Sequence, residues 1–272
     1  MLISVFWPLN WALEGLRTHW AFFPLWLGYA LVVDGLVLKR TGTSLVARSW
    51  KKYIGIFLIS APAWWLFEVI NWWIGNWHYV GRAYFTNIEY AIFATLSFST
   101  VMPAVFGTAE LAQSLPFIRN LKLGPIFSPD RVTIRRWFIF GCIMFASLVI
   151  WPRYFFPLMW ISIYFILEPI NIWMGNHNLV TRTKEGDWRG VISLFAGVLL
   201  TAFFWEFWNY WAYPKWIYTV PFVDFWHIFE MPLLGYGGYL PFALELFALY
   251  HLSIGILGQQ DKSDYILPQP KY

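Results

Sequence analysis

Two copies of one polar pair stand inside apolar stretches of this chain: Glu68-x-x-Asn71 and Glu206-x-x-Asn209. Spacing of three residues puts acid and amide on one face of a helix. A carboxylate within a membrane costs roughly 2.5–3.5 kcal/mol on insertion scales, so it should face the protein interior. Loss of water favours the neutral acid, which can donate a hydrogen bond or a proton. Glu206 and Glu68 are therefore candidate acid/base groups, with Asn209 and Asn71 as candidates to orient them. The plainer reading is a pair of Glu–Asn hydrogen bonds that hold helices together.

Other acids extend the set. Glu110 and Glu245 occupy corresponding places, and Glu89 and Glu230 form a looser pair. Each alone reads as an interfacial acid in water; together they read as a polar cavity. Glu168-x-x-Asn171 is a further likeness, in the segment EPINIWMGN, but it lies at the opposite end of its span. His227-x-x-Glu230 has half the composition of a di-iron carboxylate site, in reversed order and without a second copy, so no metal is expected. A b-type haem would need facing histidines such as His227 and His251. No phosphate-binding loop, dinucleotide fingerprint, nucleophile elbow, Cys-x-x-Cys or DDxxD-type cluster is present, and no cofactor is expected.

These residues belong to an internal repeat over 22–110 and 155–245. Asp34 matches Glu168, Glu68 matches Glu206, and Asn71 matches Asn209. Trp77 matches Trp216, Tyr79 matches Tyr218, Pro103 matches Pro241, and Glu110 matches Glu245. The offset stays between 134 and 139.

The elements that must position them are apolar helices. Hydrophobic residues make up 59% of the chain and charged residues 12%, which with long uncharged runs indicates an all-α polytopic membrane protein. Spans are predicted at 19–38, 53–75, 88–112, 135–151, 154–175, 190–212 and 238–257. Fifteen basic residues fall in loops 39–52, 113–136 and 176–189 and in the tail. Only Arg17, Arg82, Arg153 and Lys215 fall on the other side. The positive-inside rule then predicts a multi-pass protein of the cell inner (plasma) membrane, N-terminus outside and C-terminus cytoplasmic. The net charge of +4 follows from this topology and gives no reason to expect nucleic acid.

The domain plan has five parts. Residues 1–18 form an interfacial segment with Trp7 and Trp11 at the headgroups, and 19–113 the first three-span unit. Residues 114–151 form a basic loop and connecting span 4, 152–257 the second unit, and 258–272 a polar cytoplasmic tail. The units are expected in parallel, about an axis along the membrane normal, with a site between them. A short helix around 222–231 and a turn at 235–238 should precede the last span. The first sixteen residues lack Lys, Arg and a small-residue cleavage site, so a removable signal peptide is not expected. Cys142, the single cysteine, reads as packing. The 20 Trp, 15 Tyr and 26 Phe suit interfacial belts, and beside the acids they suit an aromatic-lined cavity.

The unit resembles that of the membrane-integral lycopene cyclases, the heterodimeric bacterial and fused archaeal or fungal type. The likeness rests on Glu68 and Glu206 late in a second span, followed by Trp77-His78-Tyr79 and Trp216-Ile217-Tyr218. Asn87-Ile88-Glu89-Tyr90 and Glu230-Met231-Pro232 echo the family's PxEE motif, and Glu110 and Glu245 its later acid. Asn87 stands where that motif has Pro, and one acid stands where it has two. The resemblance implies a fused seven-span fold and acid chemistry without redox change. A buried Glu protonates an isoprenoid double bond, aromatic faces and a second carboxylate stabilise the cation, and a base or water ends the reaction. The departure from the motif points to a relative acting on another apolar polyene or lipid, or to a member that has lost catalysis. Three readings follow: a carotenoid- or isoprenoid-type cyclase or hydratase, a non-enzymatic subunit of a membrane complex contacting pigment, quinone or lipid, and a small proton-coupled transporter.

Overall fold

The computed structural model describes residues 1–121, 124–258 and 265–268. Lys122, Lys262 and Lys271, counted among the basic-side charges, lie outside the described residues. The described chain is helical, with seven stretches long and apolar enough to cross a membrane: Thr18–Thr41, Trp50–Ile74, Asn87–Gln113, Arg131–Ile150, Pro152–Met174, Arg189–Tyr210 and Leu233–Ile256. These are spans 1 to 7, and the chain is read as a multi-pass membrane protein.

In chain order the helices are α1 (Leu2–Ala12), α2 (Thr18–Thr41), α3 (Leu45–Arg48), α4 (Trp50–Ile74), α5 (Asn87–Phe98), α6 (Val101–Gln113) and α7 (Pro116–Arg119). Then come α8 (Arg131–Ile150), α9 (Pro152–Phe155), α10 (Met159–Met174), α11 (Leu179–Thr183), α12 (Arg189–Tyr210) and α13 (Tyr239–Ile256). Two short ribbons complete the fold. Strand β1 (Trp77–Val80) pairs antiparallel with β2 (Lys215–Tyr218), and β3 (His227–Ile228) with β4 (Met231–Pro232).

Span 3 breaks between α5 and α6 at Ser99 and Thr100. The freed backbone is satisfied from α4: the Ser60 hydroxyl donates to Phe98 O (2.6 Å) and accepts from Met102 N (3.0 Å). A backbone break inside a membrane needs such a partner. Span 7 is also irregular, with a 3₁₀ turn (Leu233–Gly238) that leads into α13.

Small residues set the closest helix contacts. A Cβ on Gly197 of α12 would lie 2.5 Å from the Ala109 backbone of α6, and one on Gly141 of α8 2.9 Å from Phe165 of α10. Such contacts suit membrane helices, where packing rather than water drives association. Between α2 and α12, the fully buried Trp26 meets Trp205 at 5.5 Å and Trp208 at 5.0 Å between ring centroids.

The structure departs from the expectations at 222–231, in the tail and at Cys142. Residues 222–231 form no helix: positive φ angles at Phe222, Trp226 and Phe229 turn the chain into the β3–β4 hairpin, and 235–238 continues a 3₁₀ turn. The N-terminal helix packs on the bundle. Trp7 and Trp11 lie edge-on to Phe207, and Trp11 Nε1 donates to Trp208 O at 3.1 Å. Part of the polar tail is core, with Tyr265, Ile266 and Leu267 all buried. Cys142, read from the sequence as packing, sits exposed on α8 instead.

Candidate functional site

A cavity of about 730 Å³ opens where α4 and α12 end and where α5, α10 and α13 begin. Its walls are mainly aromatic, among them Trp64, Trp77, Trp160, Trp205, Trp216 and Phe242. This volume falls within the range of small-molecule sites, roughly 300–1,000 Å³. The end of the molecule holding it is called the cavity face, and the opposite end the basic face.

Local chemistry builds its rim. Helix α4 stops at Gly75, whose φ of 67° is the left-handed conformation of a helix C-cap. Asn71 then fastens the outgoing chain. Its Nδ2 donates to Trp77 O (2.9 Å), and its Oδ1 accepts from Asn76 N (2.9 Å) and Trp77 N (3.2 Å). Asn209 does the same for β2, donating to Trp216 O (2.7 Å) and accepting from Trp216 N (3.0 Å). Both amides are thus spent on strand backbone. The expectation that they orient Glu68 and Glu206 is not what these bonds do; the amides place the tryptophan and tyrosine that follow.

Those aromatic residues, in turn, hold the acids. One oxygen of Glu68, Oε1, accepts from Trp64 Nε1 (3.0 Å), Trp77 Nε1 (3.0 Å) and Tyr79 OH (2.5 Å). Oε1 of Glu206 accepts from Tyr218 OH (2.7 Å) and Tyr239 OH (2.7 Å), while its Oε2 is buried without a partner among the described residues. Glu68 and Glu206 are 1% and 0% exposed. Neither lines the cavity; their donors Trp64, Trp77, Tyr79, Tyr218 and Tyr239 do. The acids sit one layer behind an aromatic wall and reach the cavity through its N–H and O–H groups. Burial first, then the adjacent carboxylate, pushes the Tyr79 and Tyr218 phenols well above the usual tyrosine range, so both stay neutral donors.

The remaining acids have other places. Glu230 is ion-paired to Lys215, a cavity-lining residue, so it borders the site. Glu89 closes a capping box with Thr86 at the start of α5. Glu110 lies at the basic face, paired with Arg48 and accepting from Leu267 N (3.0 Å). Arg48 and Arg182 bind the carbonyls of Tyr265 and Leu267 at 2.7 and 2.6 Å, so Glu110 serves to seat the C-terminal segment. Glu245 is fully buried in α13, outside the cavity lining, and neither carboxylate oxygen has a hydrogen-bond partner among the described residues. Asp34 and Glu168 play one role twice. Asp34 accepts from Ser44 Oγ (2.8 Å) and Val46 N (3.1 Å) at α3, and Glu168 from Leu179 N (2.7 Å) at α11.

The likeness of 68–76 to 168–176 has a local cause, because both segments end a helix at a left-handed glycine, Gly75 and Gly175. His227 pairs with Asp224 at 2.8 Å and Glu230 with Lys215, so the two do not converge. His227 precedes span 7 at the cavity face and His251 is buried late in that span, so they do not face each other.

Trp64 and Tyr239 were missed in the sequence. Trp64 is four residues before Glu68 and shares its helix face, a readable signal. Tyr239 arrives from span 7, and no local pattern points to it. No protein-family model matches the chain, and neither a curated protein nor a solved structure matches it.

Proposed function

We propose that the protein binds an apolar isoprenoid or polyene in the aromatic cavity and carries out acid–base chemistry on it without redox change. The observation that carries this reading is the placement of two buried carboxylates directly behind cavity-lining hydroxyls and indoles. On this reading, a proton held at Glu206 passes through Tyr218 or Tyr239 to a carbon of a ligand double bond. The carbocation lies against tryptophan faces, whose quadrupoles attract positive charge. Loss of a proton from a neighbouring carbon, taken up on the Glu68 side through Tyr79, restores a neutral product isomeric with the substrate.

The architecture proposed with it is a parallel 3+1+3 repeat in the cell inner membrane, N-terminus outside. Its support is the self-matching register of the β1–β2 ribbon. Trp77 faces Tyr218 and Tyr79 faces Trp216, with His78 and Ile217 between them. The shared bonding of Asn71 with Asn209, and of Asp34 with Glu168, adds to it. The resemblance to the lycopene cyclases fits the same plan.

Gentle purification followed by extraction of bound lipid tests the binding step; a stoichiometric polyene or isoprenoid is expected. Expression in a lycopene-accumulating host, compared with Glu206→Gln, tests the chemistry. Absence of product from the parent, or the same product from the variant, would sink the acid role. Fixed protein partners without a bound polyene would favour a subunit of a membrane complex, and counterflow in proteoliposomes a transporter.

A further inference from the structure

One cavity-lining side chain has no part in the carboxylate shells. Asn76 is only 3% exposed and lines the cavity, yet neither its Nδ2 nor its Oδ1 has a hydrogen-bond partner among the described residues. Its backbone is fully engaged: Asn76 N donates to Asn71 Oδ1 and Asn76 O accepts from Thr219 N (2.8 Å). The fold therefore holds the residue rigidly while leaving its amide unmet. A buried amide with donor and acceptor both unpaired is costly and uncommon, and a hydrocarbon could not relieve it.

The cavity is also graded along its length. Asn76, Arg82 and Lys215 mark the end of the cavity where α4 and α12 stop. Val101, Phe195 and Leu244 line the depth, and Phe195 lies about 22 Å along α12 from that helix's end at Tyr210. The two cations at the open end are already occupied. Arg82 donates to Phe85 O (2.8 Å) and Asn87 Oδ1 (2.6 Å), and Lys215 is paired with Glu230. Nothing there calls for a second anion.

We infer that the ligand is an amphiphile: a long apolar chain that ends in a neutral oxygen group, a hydroxyl, which both donates to and accepts from the Asn76 amide. This rests on the reading that the cavity binds an apolar isoprenoid or polyene, and it narrows that reading by excluding the pure hydrocarbon as the preferred ligand. A site built to hydrogen-bond a hydroxyl discriminates against the analogue that lacks it, because its own polar groups are then left unpaired.

The test is ligand binding to the intact protein in lipid nanodiscs, followed by quenching of tryptophan fluorescence. The probes are geranylgeraniol, the hydrocarbon with a methyl group in place of its CH₂OH, and geranylgeranyl phosphate. The alcohol should bind about tenfold tighter than the hydrocarbon and tighter than the phosphate. Asn76→Leu, close in volume, should weaken the alcohol and strengthen the hydrocarbon until the preference is gone; retained hydrocarbon binding shows that this variant is folded. Equal binding of alcohol and hydrocarbon by the unmodified protein overturns the inference and leaves the apolar-ligand reading intact. Tighter binding of the phosphate also overturns it, in favour of an anionic head. If a folded, monodisperse protein binds none of the three, both readings fall.

Discussion

Glu68 and Glu206 occupy matched positions and end in different company. Each accepts from the tyrosine of its own ribbon strand, Tyr79 or Tyr218. The other donors differ. Trp64 and Trp77 complete the Glu68 shell, and Tyr239 completes that of Glu206. At the same offset, Ala202 stands in the second unit where the first has Trp64, and Val101 in the first where the second has Tyr239. An indole N–H can only donate, whereas a phenol can donate or accept. Two of the three donors on Glu68 are therefore indoles that require an acceptor, and the third is the Tyr79 hydroxyl. Glu206 faces two hydroxyls that can turn, and it keeps one oxygen unpartnered. Glu206 can change its protonation state as its two hydroxyls turn, and Glu68 can take a proton at Oε2, the oxygen that its three donors do not engage. The difference teaches that two acids at matching places in the sequence, each bonded to the tyrosine of its own strand, can still differ in the hydrogen bonds around them.

The largest expected effect that would break or sharpen this contrast is on stability. Glu68→Leu strands two indole donors and should cost about 4 kcal/mol, whereas Glu206→Leu leaves two hydroxyls able to turn and should cost about 2 kcal/mol. Unfolding in mild detergent measures both, and equal losses would erase the distinction. Next comes chemistry on the proposed reading. Glu206→Gln should lower conversion in the polyene-accumulating host by about a hundredfold or more, and Glu68→Gln by about tenfold. The reverse order would exchange the two roles.

A smaller and symmetric effect is expected of the amides. Asn71→Ala and Asn209→Ala should each cost about 2 kcal/mol, since both lose bonds to strand backbone. A gap wider than about 1 kcal/mol would show that matched geometry is not matched energy. The smallest effects belong to the donors that have no counterpart at the other acid. Trp64→Phe and Tyr239→Phe should each cost about 1 kcal/mol of stability. Only Tyr239→Phe should slow conversion markedly, which a time course of product formation would show.

Much of the fold was readable along the chain, because a span announces itself through some twenty apolar residues in a row. The repeat also marked Glu68, Glu206, Tyr79 and Tyr218 before their contacts were visible. The N-terminal helix and the tail were less legible. Trp7 and Trp11 have the composition of an interfacial anchor, and what no local pattern shows is their packing against Phe207 and Trp208 of α12. Residues 265–267 lie in a polar stretch, and Arg48, Arg182 and Glu110, all distant in sequence, bury them. The length of 219–257, too great for one span, suggests a short helix at 222–231, while the positive φ angles that forbid it appear only in the folded chain.

Sequence alone determined that this protein is a bundle of apolar helices with acids in equivalent places, since hydropathy and repetition are properties of the linear chain. Only the tertiary structure decided that Asn71 and Asn209 serve the ribbon, that Glu110 belongs to the basic face, and that Asn76 lines the cavity with its amide unmet. The physical reason is the short range of hydrogen bonds. A buried polar group takes whatever partner packing delivers within about 3 Å, and that partner is as often on another helix as on its own.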